Sequence, residues 1–227
     1  MDSALVVCAA PSPTCEAFYR DLISGHAGAI IAADGGATLC LAVGRVPDVL
    51  VGDFDSVAPD VLARVRAAGV PVIASSADKD VSDLDLALQA VKDLGSPGAT
   101  VTAAWSARLD HTLAAIGSVF AQRSLAIDLT DPGMAGCLLD SDGRSSVTLL
   151  GAGATFSLFT LETGAVLSCR GARYELDHAS LDPLSAHGLS NRLLEEPAVV
   201  TAERGRALVI SHALGNTRHA TFRFVPA

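Results

Sequence analysis

An α/β domain with a mostly parallel sheet flanked by helices, followed by an antiparallel β-sandwich, is the fold class this sequence predicts. Three observations carry that prediction. Up to Leu129, short β-branched runs alternate with helical periods, the pattern of a parallel sheet built from βαβ units. After Thr130-Asp131-Pro132-Gly133 the helical period stops and closely spaced apolar runs take over. Turn signals such as Glu162-Thr163-Gly164, Arg170-Gly171 and Arg204-Gly205 separate those later runs, as in a sandwich or barrel.

The strands expected in the first part are 5–9, 29–33, 49–51, 71–74, 99–103 and 125–129. Between them the strongest helix is expected over 82–94, where Leu84, Ala87, Leu88, Val91 and Leu94 recur at helical spacing. Ser82 followed three residues later by Asp85 has the form of a capping box. A second helix is expected over 110–120, with Asp110 as its N-cap and Leu113, Ile116 and Phe120 on one face. In the later part, strands are expected at 146–150, 155–161, 165–169, 198–202, 207–210 and 220–225, and 177–197 reads as a long loop. The domain boundary is placed between Asp140 and Ser145, giving domains 1–142 and 143–227.

Composition narrows the function. The chain has 227 residues, half of them apolar, enough for one large or two modest cores. Twenty-five acidic against sixteen basic residues give a net charge of −9, and no Lys or Arg run forms the basic footprint that nucleic acid requires. The first residues lack a basic leader and read as a strand rather than a signal peptide. No apolar run reaches membrane-spanning length. Five scattered cysteines without a Cys-x-x-Cys pair fit reduced thiols used as small buried hydrophobes, and with them a cytoplasmic location.

The chemistry concentrates in carboxylates. Asp34-Gly35-Gly36, then Gly52-Asp53-Phe54-Asp55-Ser56, then the acids from Asp78 to Asp85, then Arg108-Leu109-Asp110-His111 each sit where an apolar run gives way to a periodic segment. An open α/β sheet collects its ligand-binding residues at such points. Acids sharing one site cannot all stay ionised and unpaired, since two like charges ~4 Å apart repel by roughly 4 kcal/mol at an effective dielectric near 20. Mg²⁺ would resolve that conflict, and it usually brings phosphates with it. Each motif has a plainer reading as well. Asp55 and Ser56 suit a turn into a helix near Pro59, Asp34-Gly35-Gly36 suits any strand-to-helix turn, and Asp85 suits a cap alone. Asp83, Lys79 and Asp80 are freer to face a ligand, and Arg108 could grip a triphosphate bidentately. No Gly-x-x-x-x-Gly-Lys-Ser/Thr is present, so the site is not a P-loop.

In this order the motifs resemble the thiamine pyrophosphokinase family. The matching segments are Asp-Gly-Gly-Ala at 34–37, Pro47-Asp48 leading into 52–56, Lys-Asp-Val-Ser-Asp-Leu-Asp at 79–85, Arg-Leu-Asp-His-Thr-Leu-Ala at 108–114 and Leu-Ser-Asn at 189–191. The resemblance implies transfer of a pyrophosphoryl group from ATP to the thiamine hydroxyl, by a homodimer with two sites at its interface. It implies that Asp53, Asp55 and Asp83 bind Mg²⁺ and phosphate, with Asp34 and Asp80 nearby. It further implies that Lys79, Ser82, Arg108 and Asp110 line the ATP side with Asp34, that Asp80 or Asp110 takes the hydroxyl proton, and that Ser190 and Asn191 contact thiamine.

Two departures stand out. Where the family has glycines before its Arg-x-Asp motif, this chain has Ala103-Ala104-Trp105-Ser106-Ala107, whose side chains narrow the approach to a nucleotide. After Asn191 comes Arg192 where an acidic or polar residue is common, and it is expected to face solvent, away from a cationic substrate. Two other readings remain open at this stage. One is pyrophosphoryl transfer to another hydroxymethyl heterocycle such as a pterin; the other is a nucleotide or thiamine binding module without catalysis.

Overall fold

A computed structural model describes residues 2–12, 14–75, 81–123, 125–151, 153–194, 197–212 and 223–226. The chain divides into two compact units, one of residues 1–121 and 130–132, the other of 122–129 and 133–227.

In the first unit β1 (Ala4–Val7), α1 (Glu16–Gly25), β2 (Ile30–Ala33), α2 (Gly36–Ala42), β3 (Val49–Gly52), α3 (Pro59–Ala67), β4 (Val72–Ala74), α4 (Asp83–Asp93), β5 (Gly98–Thr102) and α5 (Leu109–Ala121) alternate along the chain. The strands lie in the order β5-β1-β2-β3-β4, all parallel. The first three strands are buried at every position, because helices cover both faces and alternation has nothing polar to serve. On one face Leu5, Val7, Ile30, Ala32 and Leu50 pack against Tyr19 and Ile23 of α1, Cys40 of α2 and Val65 of α3. Full burial of each such large side chain is worth about 1.5–3 kcal/mol. α4 packs on β1, β2 and β3, burying Leu84, Ala87, Leu88 and Val91 at the predicted spacing.

The capping box forms as expected. Asp85 N–H donates to Ser82 Oγ (3.1 Å), and Ser82 N–H donates to Asp85 Oδ2 (3.1 Å). The other predicted helix begins one residue earlier than expected, at Leu109, so Asp110 lies inside its first turn and is not its N-cap. Gly117 is exposed near the middle of that helix, and an added Cβ would meet nothing within 4 Å. Replacing Gly117 by Ala should therefore stabilise the protein by up to about 1 kcal/mol, the usual helix penalty of glycine. A thermal melt should read this as a rise of about 2–4 °C.

In the second unit β6 (Ala126–Asp131), β7 (Met134–Asp140), β8 (Ser146–Leu150), β9 (Thr155–Phe159), β10 (Ala165–Arg170), β11 (Leu176–Leu181), β12 (Asn191–Arg192), β13 (Ala198–Arg204), β14 (Arg206–His212) and β15 (Arg223–Pro226) build two sheets, the last two residues of β6 being grouped with the first unit. One runs β12-β9-β14-β7-β6 and the other β11-β10-β13-β8-β15. Leu139, Phe156, Leu158 and Val209 of the first sheet meet Val147, Leu149, Leu167, Leu181 and Val200 of the second in one core, which makes the expected sandwich.

The division between units falls before the predicted 142/143 boundary. The physical reason is β7, a strand with no period-2 signature in the sequence, which pairs antiparallel with β14 from Asp140↔Arg206 to Met134↔His212. The expected loop over 177–197 also contains structure: β11 is an edge strand, whose exposed Asp177 and His178 hide the alternation that would have revealed it. The five cysteines are free, and burial pushes the thiols of Cys8, Cys40 and Cys137 up to about 12, which keeps them protonated and inert. Among the described residues no helix is long and apolar enough to cross a membrane.

Candidate active site

At the carboxyl ends of β2 and β3 and the start of α4, the carboxylates of Asp34, Asp53 and Asp83 converge, one oxygen of each lying within 4.8 Å of the others. Local backbone geometry sets each in place. Asp34 follows β2 in the left-handed region (φ 45°), a conformation Asp tolerates better than most residues. Its N–H donates to Val51 O (2.8 Å), and Ser56 Oγ donates to its Oδ2. Its Oδ1 is buried without a partner among the described residues.

Asp53 leaves β3 through Gly52, whose φ of 139° favours glycine and whose added Cβ would lie 3.2 Å from the Asp34 Cβ. Phe54 follows at φ 66°, and Asp55 N–H donates to Asp53 Oδ1 (3.2 Å). Asp83 is the first residue of α4. Because Ser82 and Asp85 are spent on the cap, Asp83 is the acid of that turn left over for the cluster, where the helix dipole favours it.

The cluster is electrostatically unsettled. Partial burial, then the charges of Asp34, Asp53 and Asp55, push the Asp83 carboxyl up to about 6. Three acid oxygens this close form a set of hard donors suited to a divalent cation.

The sequence-predicted residues of the first unit fall into five groups. Asp53 and Asp83 meet as expected, with Asp34 as the third member of the close set. Asp55 stands outside that set, near enough to raise Asp83. The expectations for Asp78, Lys79 and Asp80 lie outside the described residues. Ser82 is committed to the cap, and its Oγ also lies 3.2 Å from Ser118 Oγ. Arg108 and Asp110 pair with each other through two hydrogen bonds (Nη2 to Oδ2 2.6 Å, Nε to Oδ1 3.3 Å), both about two-thirds exposed, and this pairing holds the Asp110 carboxyl below its ordinary range.

In the second unit Ser190 is exposed at φ 56°, its N–H donating to Ser157 Oγ (3.1 Å). Asn191 behaves differently. It is 5% exposed, its Oδ1 accepts from the N–H of Tyr174 (3.0 Å) and Arg192 (2.8 Å), and its Nδ2 donates to Tyr174 O (2.7 Å). Three of the four hydrogen bonds its amide can make are thus spent on backbone, so Asn191 shapes the turn at Tyr174 while Ser190 is the member of the pair open to a ligand. Arg192 is exposed, as expected.

Sequence reasoning missed Asp131 and Tyr19. Asp131 is buried, and its Oδ1 accepts from Tyr19 Oη (2.8 Å) and from the N–H of Ala103 (3.1 Å). The Asp-Pro-Gly turn that contains it masked the signal.

A parallel sheet with a carboxylate trio at its carboxyl edge, followed by an antiparallel sandwich, defines a two-unit α/β and all-β protein with an acidic cluster. Residues 20–130 match the family model described as thiamin pyrophosphokinase, catalytic domain, and the chain belongs to that family. Among solved structures it resembles the thiamine pyrophosphokinase of Bacillus subtilis (20% identity, TM-score 0.76, 93% of this chain and 99% of that one). Similar matches are the thiamin pyrophosphokinases of Geobacillus thermodenitrificans (19%, 0.75, 95% and 100%) and Candida albicans (17%, 0.73, 92% and 90%). No curated protein matches the chain in sequence.

Proposed function

We propose that the chain transfers the pyrophosphoryl group of ATP to the hydroxyl of thiamine, giving thiamine diphosphate and AMP. The observation that carries this reading is the convergence of Asp34, Asp53 and Asp83 in a chain of the thiamin pyrophosphokinase family. The trio fits Mg²⁺: all donors are carboxylate oxygens, and Asp34 Oδ1 is buried without a hydrogen-bond partner among the described residues. When bound, Mg²⁺ supplies positive charge against the phosphate oxygens.

Asp34, Asp53 and Asp83 would hold the cation, with Asp55 adding charge from outside the close set. Ser56 fixes the rotamer of Asp34, and the Asp55 N–H that of Asp53. In the reaction the thiamine oxygen forms a bond to the β-phosphorus and the bond from that phosphorus to the α,β-bridging oxygen breaks. AMP leaves with the bridging oxygen. The hydroxyl proton passes to a carboxylate, with Asp110 and Asp80 as the sequence candidates. Arg108, released from Asp110, would grip the nucleotide phosphates with Lys79, while Ser190 would contact thiamine on the turn that Asn191 shapes. The first unit thus carries the ATP and Mg²⁺ chemistry and the second the thiamine contact, in a cytoplasmic homodimer.

The test is AMP release from Mg-ATP with and without thiamine, with the product identified by mass. Thiamine-dependent AMP with a matching yield of thiamine diphosphate is expected. AMP formed with a pterin alcohol and not with thiamine would transfer the reading to that acceptor, and ATP binding without AMP release would make the chain a binding module.

A further inference from the structure

We propose that Asp131, with Tyr19 as its second arm, is a positioning residue that holds the loop after β5 in shape and so sets the affinity of the site for its nucleotide donor. This inference rests on the functional reading above.

The strand order makes the location meaningful. From β1 the chain steps outward through β2, β3 and β4, then returns to the opposite side of β1 as β5. The loops that follow β1 and β5 therefore part in opposite directions, and an open α/β sheet takes its ligand in the crevice at such a switch point. Ala10 N–H donates to Ala103 O (2.8 Å), linking the two loops at their base. A single carboxylate oxygen reaches both of them. Asp131 Oδ1 accepts from Ala103 N–H (3.1 Å), Thr102 Oγ1 (3.4 Å) and Tyr19 Oη (2.8 Å), and Tyr19 Oη in turn accepts from Ser12 N–H (2.9 Å).

What this network holds is strained. Ala103 is fully buried at φ 54°, a left-handed conformation that a Cβ disfavours. Such a residue persists only where its surroundings over-determine it. The far end of the same loop is anchored to α5. Thr112 Oγ1 donates to Ser106 O (3.0 Å) and accepts from Ser106 N–H (3.2 Å), and Arg108 N–H donates to Ser106 Oγ (3.0 Å). Between these anchor points a turn at Ala103 must be absorbed by Ala104 and Trp105, next to the segment that carries Arg108. Asp131 is 8% exposed, and burial raises its carboxyl above the usual range, so a carboxylate there is a cost unless it secures this geometry.

The experiment compares Asp131→Ala, Asp131→Asn, Tyr19→Phe and Asp131→Ala combined with Ala103→Gly, each by steady-state kinetics and by acrylamide quenching of Trp105, the only tryptophan. Asp131→Ala should raise KM for ATP roughly tenfold, equivalent to about 1.4 kcal/mol, with kcat and KM for thiamine within about twofold, and should make Trp105 more quenchable. Asp131→Asn keeps the accepting oxygen and should restore most of the ATP affinity. Adding Ala103→Gly removes the strain and should recover part of the loss. Equal falls in kcat and in affinity for both substrates, or unchanged Trp105 quenching in folded Asp131→Ala, would overturn the proposal. Should Asp131→Ala not fold, Tyr19→Phe decides: roughly a threefold rise in KM for ATP supports the clamp, and no change overturns it. If the parent releases no thiamine-dependent AMP, the functional reading fails by itself. ATP titrated against Trp105 fluorescence then decides this inference, weaker binding in the variants supporting it and equal binding overturning it.

Discussion

Replacing Asp53 by Asn should lower thiamine-dependent AMP release by about a hundredfold or more, equivalent to about 2.7 kcal/mol of transition-state stabilisation. The same change should leave the metal-free protein at least as stable as the parent. The two effects have one cause. Asp53 is exposed, and its neighbour within the cluster, Asp83, is pushed up to about 6 by partial burial and by the surrounding acids. Removing one of three converging charges relieves repulsion worth at most about 1 kcal/mol after solvent screening. Without a cation that relief is a gain, and with one it is a lost ligand. Melting curves in chelator and in Mg²⁺ separate the two. The parent should gain stability from Mg²⁺ and the variant should gain little, while in chelator the variant should melt at the parent's temperature or up to about 4 °C above it. Near-normal turnover together with a full Mg²⁺ response would remove Asp53 from the metal role. Asp34→Asn is the less clean probe, because Asp34 also receives Ser56 and its Oδ1 is buried.

The elements legible in the sequence were those whose pattern answers to one local force. The α4 helix was legible because its apolar spacing and its Ser82–Asp85 cap agree, and the cap then left Asp83 for the cluster. The parallel strands were legible because burial on both faces makes them uninterrupted apolar runs. What the sequence concealed depends on partners distant in the chain. β7 is recognisable only through its pairing with β14, and β11 only as the edge of a sheet whose other strands lie elsewhere in the chain. In the site, Asp53 and Asp83 were readable from their motifs. The close approach of Asp34 depends on Gly52 and on a left-handed turn, neither of which has a periodic signature. Asn191 could be matched to a motif, but its hydrogen bonds to Tyr174 span seventeen positions and decide what its amide is free to do. Asp131 and Tyr19 are 112 positions apart, and no local rule joins them.

Replacing Gly36 by Ala should cost about 3 kcal/mol or more, lowering the melting temperature by roughly 6–12 °C and sharply reducing soluble yield. Gly36 opens α2 directly against the end of β1. A Cβ built there would lie 1.9 Å from Val7 O and 2.8 Å from Val7 C. Those atoms belong to backbone, so no side chain can swing aside, and β1 is bonded to β2 on one side and β5 on the other. The strain must therefore be taken up by α2, which begins two residues after Asp34. Activity surviving at low temperature should accordingly fall as well, because a displaced α2 drags the Asp34 carboxylate out of reach of Asp53 and Asp83. Gly44→Ala is the matched comparison: Gly44 lies just beyond the same helix at φ 78° with nothing within 4 Å, so only the backbone conformation is penalised, by about 1–2 kcal/mol. If chemical denaturation finds the two variants equally stable, the close approach of α2 to β1 is wrong, and so is the account of how Asp34 is held.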